Sequence, residues 1–178
     1  MTNTEKYNKI RDNLITGDII IWSNRGILPS LIQKFSGKGS HCGTIIKMGN
    51  RVILFESTIK WFTQNGVEPV PASERLSESG DWCIRRDTID RKGLEEKRCF
   101  EAWGKKKKYD LWGLAVQQPI FIMSGGKYFV RRFGIKDDQG FYCSEFCSWN
   151  KDMEGWETMT PHKLYIHKEL TTILNFTN

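Results

Sequence analysis

The sequence predicts an α+β fold. Segments typical of strands and segments typical of helices follow one another in blocks, without the regular strand–helix–strand alternation of an α/β protein. Two β-rich segments, 41–48 and 51–57, are joined by Gly49-Asn50, a two-residue loop typical of an antiparallel hairpin. Residues 92–106 and 143–150 carry their apolar side chains at helical spacing. A hairpin and separate helices together favour the α+β class.

The same patterns predict the remaining elements. A continuous apolar run after a Thr-Gly-Asp turn indicates a buried strand, and apolar residues three or four apart indicate a helix. In chain order we expect a strand over 19–22, a helix over 27–35, strands over 66–70 and 82–86, and a helix over 111–123. Pro69 weakens the prediction of a strand over 66–70, because proline cannot donate a hydrogen bond to a neighbouring strand. The segment from His162 is compatible with either a strand or a helix.

Length and composition limit the class of protein. The chain has 178 residues, of which 39% are hydrophobic and 27% charged, and this suits one globular domain with a buried core. No internal repeat or linker is evident, so residues 1–178 are expected to form a single domain. The most apolar stretch, 111–123, is interrupted by two glutamines and a proline and is shorter than the ~20 residues of a membrane helix. We therefore expect no transmembrane segment.

The N-terminal segment and the cysteines indicate a compartment. Residues 1–13 are polar and charged, without the apolar core of a secretory signal. Five cysteines in a chain without such a signal are typical of free thiols in a reducing compartment. A cytoplasmic protein is expected.

The net charge of +6 and the pI of about 9.1 suit an anionic partner such as nucleic acid, a membrane surface or an acidic polymer. The one dense basic cluster is Lys105, Lys106, Lys107 and Lys108. Charge runs of this kind more often form a solvated helix end than a binding patch. Since no nucleic-acid-binding motif accompanies the cluster, we predict no specific nucleic-acid partner. An anionic surface stays an alternative.

The predicted hairpin brings a histidine and a carboxylate together. If the two-residue turn sets the register, Gly43 lies opposite Glu56 and His41 lies opposite Thr58, with all four on one face. His41 and Glu56 are then diagonal neighbours, within reach of long side chains. Gly43 leaves room for the carboxylate to lean toward the imidazole. An acid within an apolar strand also needs a polar partner.

Cys143 is the candidate nucleophile for this histidine. It stands at the start of a predicted helix, where free backbone N–H groups and the helix dipole favour a thiolate. A nearby His41 would lower the pKa of the thiol further and carry its proton to a leaving group. The backbone N–H of Cys143 and the Tyr142 hydroxyl are candidate donors to an oxyanion.

The other cysteines are expected to be structural. Cys147 and Cys42 are interpreted as core residues, since buried cysteines are usually inert and Cys42 points to the strand face opposite His41. His162 and His167 could in principle join cysteines around zinc. The sequence contains no Cys-x-x-Cys or His-x-x-x-His spacing, however, and we predict no metal site and no cofactor.

Several of these residues fall in short segments that resemble a known family. The segments are Leu14-Ile15-Thr16-Gly17-Asp18-Ile19-Ile20, Ser40-His41-Cys42-Gly43, Glu56, Tyr109-Asp110 and Tyr142-Cys143-Ser144-Glu145. Their order and spacing resemble the permuted papain-like amidases of the YiiX/YebB/YaeF type, in the NlpC superfamily that includes the lecithin:retinol acyltransferase branch. In this permuted arrangement the histidine strand precedes the nucleophile helix, as it does here.

The resemblance implies a circularly permuted papain-like fold, with a central antiparallel sheet or half-barrel packed on helices. It implies Cys143 as nucleophile, His41 as base and Glu56 as the residue that orients the base. Ser40 and Gly43, which flank the histidine in the motif, are expected with Tyr142 to line the oxyanion and substrate site.

Two functions from different classes follow. The first is a cysteine hydrolase that cleaves a peptide-like amide through a Cys143 thioester; acyl transfer or lipid (thio)ester hydrolysis on the same triad is its close alternative. The second is a catalytically silent binding module for an anionic polymer or membrane surface. An intact Cys, His and Glu set favours the enzyme.

Overall fold

The computed structural model describes residues 1–23, 33, 37–60, 64–78, 80–110 and 140–176. Its strands are β1 (Ile19–Ser23), β2 (His41–Met48), β3 (Arg51–Lys60), β4 (Gln64–Pro71), β5 (Asp81–Asp87) and β6 (Leu170–Leu174). Its α-helices are α1 (Asn3–Ile10), α2 (Ala72–Arg75), α3 (Lys92–Gly104), α4 (Cys143–Asn150) and α5 (Pro161–Ile166). Short 3₁₀ turns cover Arg11–Asn13 and Trp156–Thr158.

The six strands form one open sheet in the order β4-β3-β2-β1-β5-β6. Every neighbouring pair is antiparallel. Together with separate helices, this arrangement confirms the predicted α+β class. Among the described residues, no helix has the length and apolar character needed to cross a membrane.

The β2–β3 hairpin has the register predicted from its turn. Met48 pairs with Arg51, and Thr44 pairs with Phe55 at the far end of the ladder. The weakly predicted strand around Pro69 also forms, as β4, with Pro69 opposite Phe55. β4 is an edge strand of the described sheet. Proline is tolerated there because it does not interrupt the hydrogen bonds between two inner strands.

Both faces of the sheet are covered, and successive residues of β1 pack into the cores on opposite faces. Ile19 and Ile21 belong to the core beneath α3, α4 and α5. Ile20 and Trp22 belong to the core beneath α1 and α2. Burial on both faces explains why this strand is a continuous apolar run rather than an alternating one.

The chain termini contain elements that the sequence left undefined. α1 forms within the polar N-terminal segment, where Thr2 and Glu5 make a reciprocal capping box. The ambiguous C-terminal segment divides into α5, capped by the Thr160 side chain, and the edge strand β6. The predicted helices over 111–123 and 27–35 lie outside the described residues, apart from residue 33.

Candidate functional site

The buried Cys143 begins α4, as predicted. The preceding residue, Tyr142, has an extended backbone, and its N–H donates to Oε2 of Glu145 at 3.3 Å, which fixes the first turn. The helix lies along β2, where the Thr44 hydroxyl bonds Sγ of Cys147 at 3.6 Å. Cys143 is one turn before Cys147, so its thiol lies toward the start of β2.

Three groups surround the Cys143 sulfur. The Cys42 side chain, the Cys42 backbone and the His41 side chain all lie close enough to lower its pKa. The Cys42 thiol makes the largest contribution to lowering the pKa of Cys143; burial opposes it, and the positive charge and hydrogen bond of His41 reinforce it. The pKa of Cys143 is thereby held well below its ordinary value. Burial raises the pKa of Cys42 well above its own, so Cys42 remains a protonated donor.

His41 lies between the thiol and a carboxylate. Its Nε2 atom is 2.6 Å from Oε2 of Glu56, and its ring packs on Trp22 with 5.5 Å between ring centroids. Burial by itself lowers the pKa of His41, but hydrogen bonds to Cys143 and Glu56 and their negative charges raise it to about 10. These contacts favour the imidazolium form of His41.

Glu56 is buried, with 1% of its side chain exposed. Besides His41 it contacts Arg75, whose Nε lies 3.1 Å from both carboxylate oxygens. Burial raises the pKa of Glu56, but His41 and then Arg75 outweigh it and lower the pKa to about 2. The sequence indicated that Glu56 needs a polar partner, but no pattern linked it to Arg75.

Gly43 lies beside Glu56, in agreement with the register predicted for the hairpin. A Cβ atom at this position would be 3.2 Å from Cβ of Glu56 and 2.9 Å from the carbonyl oxygen of Phe55. No ordinary Cβ fits at the second distance, so the close approach of β2 and β3 here depends on glycine.

Ser40 and Tyr142 make bonds within the protein. The Ser40 hydroxyl donates to the carbonyl of Trp22 at 3.3 Å, and its N–H donates to the same oxygen at 2.7 Å. The Tyr142 hydroxyl donates to the carbonyl of Glu157 at 3.0 Å. Donation from Tyr142 to a substrate oxygen would require that bond to break. The substrate-binding roles of both residues stay predictions.

The segment that contains Tyr109 and Asp110 lies beside the chain that leads into α4, where the N–H of Asp110 donates to the Phe141 carbonyl at 3.3 Å. Burial raises the pKa of Tyr109, and the charges of Cys143 and Cys42 raise it further. Burial also raises the pKa of Glu145 to about 9, and Asp110 contributes next. The Tyr109-Asp110 motif is thus brought to the start of α4.

The basic cluster connects with this region through the backbone. Lys105 pairs with Glu101 at 2.5 Å, and the Lys107 carbonyl accepts from the N–H of Val67 at 3.0 Å. The Lys108 carbonyl accepts from the N–H of Phe141 at 2.9 Å, two residues before Cys143. Lys105, Lys106 and Lys108 are exposed.

No group of three or more His, Cys, Asp and Glu side chains within the described ranges is arranged to hold a metal ion. Nδ1 of His162 accepts from the N–H of Lys38 at 3.1 Å, and Nδ1 of His167 lies 3.4 Å from the N–H of Glu169.

Comparison with known proteins gives a similarity of fold. No protein-family model matches the sequence, and no curated protein matches it significantly. The structure is similar to the crystal structure of the metalloprotein YiiX, DUF1105, from Escherichia coli O157:H7, with a TM-score of 0.60. The alignment covers 89% of this chain and 96% of that one at 17% identity. Among the described residues of this chain, no cluster of side chains fits such a metal.

Proposed function

We propose that this protein is a cysteine hydrolase that cleaves an amide bond of a peptide-like substrate, with Cys143 as nucleophile, His41 as base and Glu56 as orienting carboxylate. One observation carries the proposal. The imidazole of His41 lies close enough to the thiol at the start of α4 to lower its pKa, and a buried carboxylate lies 2.6 Å from the same ring. A nucleophile, a base and a group that orients the base make the general pattern of a covalent hydrolase.

In the proposed reaction the Cys143 thiolate attacks the substrate carbonyl carbon, and the π electrons move to the oxygen. The Cys143 N–H, which has no acceptor within its own helix, stabilises this oxyanion. The C–N bond then breaks while His41 gives its proton to the departing amine, leaving a thioester. A water molecule next transfers a proton to His41 and attacks the thioester, which releases the acid and restores the thiolate–imidazolium pair.

The architecture supports a permuted papain-like assignment. The histidine opens β2 and the cysteine opens α4, so the base precedes the nucleophile in the chain. The similarity in fold to YiiX, the family type indicated by the sequence motifs, supports the same assignment. This likeness concerns the fold, whereas the triad and its reaction are proposed from the geometry of the site.

Acyl transfer is the alternative on the same residues, because a thioester can be taken by water or by another nucleophile. A lipid (thio)ester would use the same first step. Product analysis with and without an added acceptor such as hydroxylamine separates the reactions: a hydrolase releases the free acid without any acceptor, whereas an acyltransferase turns over only when the acceptor is present.

The first experiment is the rate of iodoacetamide labelling of each cysteine against pH, resolved by peptide mass spectrometry. Cys143 is expected to be labelled rapidly well below pH 8, and His41→Ala is expected to slow it at least ~10-fold. Cys99 is the internal reference, because burial raises the pKa of its thiol well above the ordinary value. Labelling of Cys143 at the rate of Cys99, without dependence on His41, would contradict the proposal and favour the binding module.

A further inference from the structure

We propose that Arg75 is a positioning residue of this site, whose guanidinium fixes Glu56 as the carboxylate partner of His41. The inference rests on the proposed function, since it assigns a role within the same triad.

Arg75 reaches the triad from outside the hairpin that carries His41 and Glu56. It is the last residue of α2, the short helix that follows β4, and 14% of its side chain is exposed. Its Nε is 3.1 Å from each oxygen of Glu56, while Nη1 donates to Oε2 of Glu78 at 2.5 Å. The carboxylate therefore bonds on one side to Arg75 and on the other to His41, which restricts its rotation.

Trp22 contacts both Arg75 and His41. The Arg75 guanidinium carbon is 4.8 Å from the centroid of the Trp22 ring, and the Trp22 and His41 centroids are 5.5 Å apart. Arg75 thus contacts both neighbours of His41. It hydrogen-bonds Glu56, and its guanidinium lies over the face of the Trp22 ring. Since Trp22 is buried in the sheet, it gives the guanidinium a rigid support.

The charge of Arg75 matters because the charge of His41 changes during the proposed reaction. When His41 gives up its proton, the buried Glu56 carboxylate loses one of its two cationic neighbours. Arginine keeps its charge throughout the accessible pH range, so Arg75 maintains Glu56 as an anion in both states of the imidazole. An unpaired buried carboxylate would instead take up a proton.

The other charged groups around Glu56 are mostly acidic. Glu68 of β4 lies directly opposite Glu56 and on the same face, and Glu78 pairs with Arg75. On the β2 side the facing groups are His41 and, beyond it, the Cys143 thiolate. Without Arg75, the imidazolium would be the remaining cation against these acids, and Glu56 would protonate at a higher pH.

The test compares Arg75→Gln and Arg75→Lys with the native protein by the pH dependence of Cys143 alkylation. Arg75→Gln is expected to slow labelling at least ~10-fold near pH 6 and to move the acid limb to higher pH, because a protonated Glu56 no longer supports the imidazolium. Arg75→Lys restores the charge but not the fork geometry, so it is expected to recover part of the rate.

Arg98→Gln is the matched control. Arg98 also pairs with a carboxylate, Asp152 at 2.9 Å, and also lies over a tryptophan, Trp149 at 5.1 Å. It contacts the end of α4 remote from Cys143, so its loss is expected to lower the melting temperature and leave the pH profile unchanged. An Arg75→Gln variant that behaves in the same way would overturn the inference.

Failure of the inference is distinguishable from failure of the proposed function. Slow labelling of Cys143 in the native protein refutes the triad itself, whereas fast native labelling that Arg75→Gln leaves intact refutes only the role of Arg75. If Arg75→Gln does not fold, NMR of the native protein decides. The Arg75 Nε–H resonance is expected to be protected from exchange and to shift when Cys143 is alkylated; an unshifted resonance overturns the proposal.

Discussion

The Nε2 atom of His41 lies 2.6 Å from Oε2 of Glu56, and this contact decides which ring nitrogen serves the thiol. With Nε2 bonded to the carboxylate, Nδ1 is the nitrogen that remains for Cys143. An imidazolium donates from both nitrogens at once. The geometry therefore suits a resting thiolate–imidazolium pair backed by a carboxylate.

The first prediction concerns the titration of His41. NMR of the ring is expected to show a midpoint near pH 10 in the native protein, because Cys143 and Glu56 raise the pKa to about 10. Glu56→Gln removes one of the two anions and is expected to lower the midpoint by roughly 1–3 pH units. A native midpoint near the ordinary 6.5 of histidine would show that the ion pair does not form.

The second prediction concerns Cys42. Its thiol makes the largest contribution to lowering the pKa of Cys143, so Cys42→Ala is expected to shift the acid limb of Cys143 alkylation to higher pH by about one unit. Cys42→Ser keeps a hydroxyl donor at the same place and is expected to retain most of the shift. Identical profiles for the alanine variant and the native protein would exclude this role.

Local features of the hairpin were predictable, and contacts from distant segments were not. The Gly49-Asn50 turn sets the β2–β3 register by itself, so the proximity of His41 and Glu56 follows from counting residues. The contact of Arg75 with Glu56 depends on the pairing of β4 with β3 and on the position of α2, and no local pattern encodes either.

Cys42 shows a different limit. Strand alternation correctly places it on the face opposite His41, in the core beneath α4. His41 and Cys42 nevertheless act on the same sulfur, because α4 begins beside the start of β2, where these two residues are adjacent. The position of a helix against a sheet depends on packing of the whole core, which periodicity does not determine.

The third prediction is that Gly43→Ala impairs the site. The new Cβ would lie 2.9 Å from the Phe55 carbonyl and 3.2 Å from Cβ of Glu56, so β2 and β3 must separate locally. Labelling of Cys143 near pH 6 is expected to fall at least ~10-fold, and stability to fall by about 1–3 kcal/mol. Gly93→Ala in α3 is the control: its Cβ meets no atom within 4 Å, and it is expected to preserve both.

The fourth prediction concerns the pH dependence of stability at Glu145. Burial and Asp110 raise the pKa of Glu145 to about 9, above the value near 4.5 expected in the unfolded chain. The folded state then holds a proton that the unfolded state releases, so this group makes stability fall as pH rises from about 4.5 toward 9. Glu145→Gln is expected to be more stable than the native protein by about 1–3 kcal/mol at pH 8, with the difference vanishing near pH 4. Urea unfolding at both pH values measures this, and an equal difference at both would contradict it.

The last prediction concerns the buried ion pair behind the nucleophile helix. Lys151 follows α4 directly and is fully buried; its ammonium bonds Glu95 and lies 3.7 Å from Asp87. Lys151→Met leaves these carboxylates without that cation, and the free energy of unfolding is expected to fall by about 3–5 kcal/mol. Adding Glu95→Gln is expected to recover part of the loss, because the second change removes an uncompensated charge.

The exposed i,i+4 pair of Lys105 with Glu101 supplies the control for the buried one. Lys105→Met is expected to leave stability close to that of the native protein, since surface ion pairs contribute little. The midpoint of urea unfolding, with an unchanged slope, measures both effects. If Lys151→Met cost no more than Lys105→Met, this ion pair would contribute nothing measurable to the attachment of α4 to α3. The geometry of Cys143 would then be independent of this ion pair.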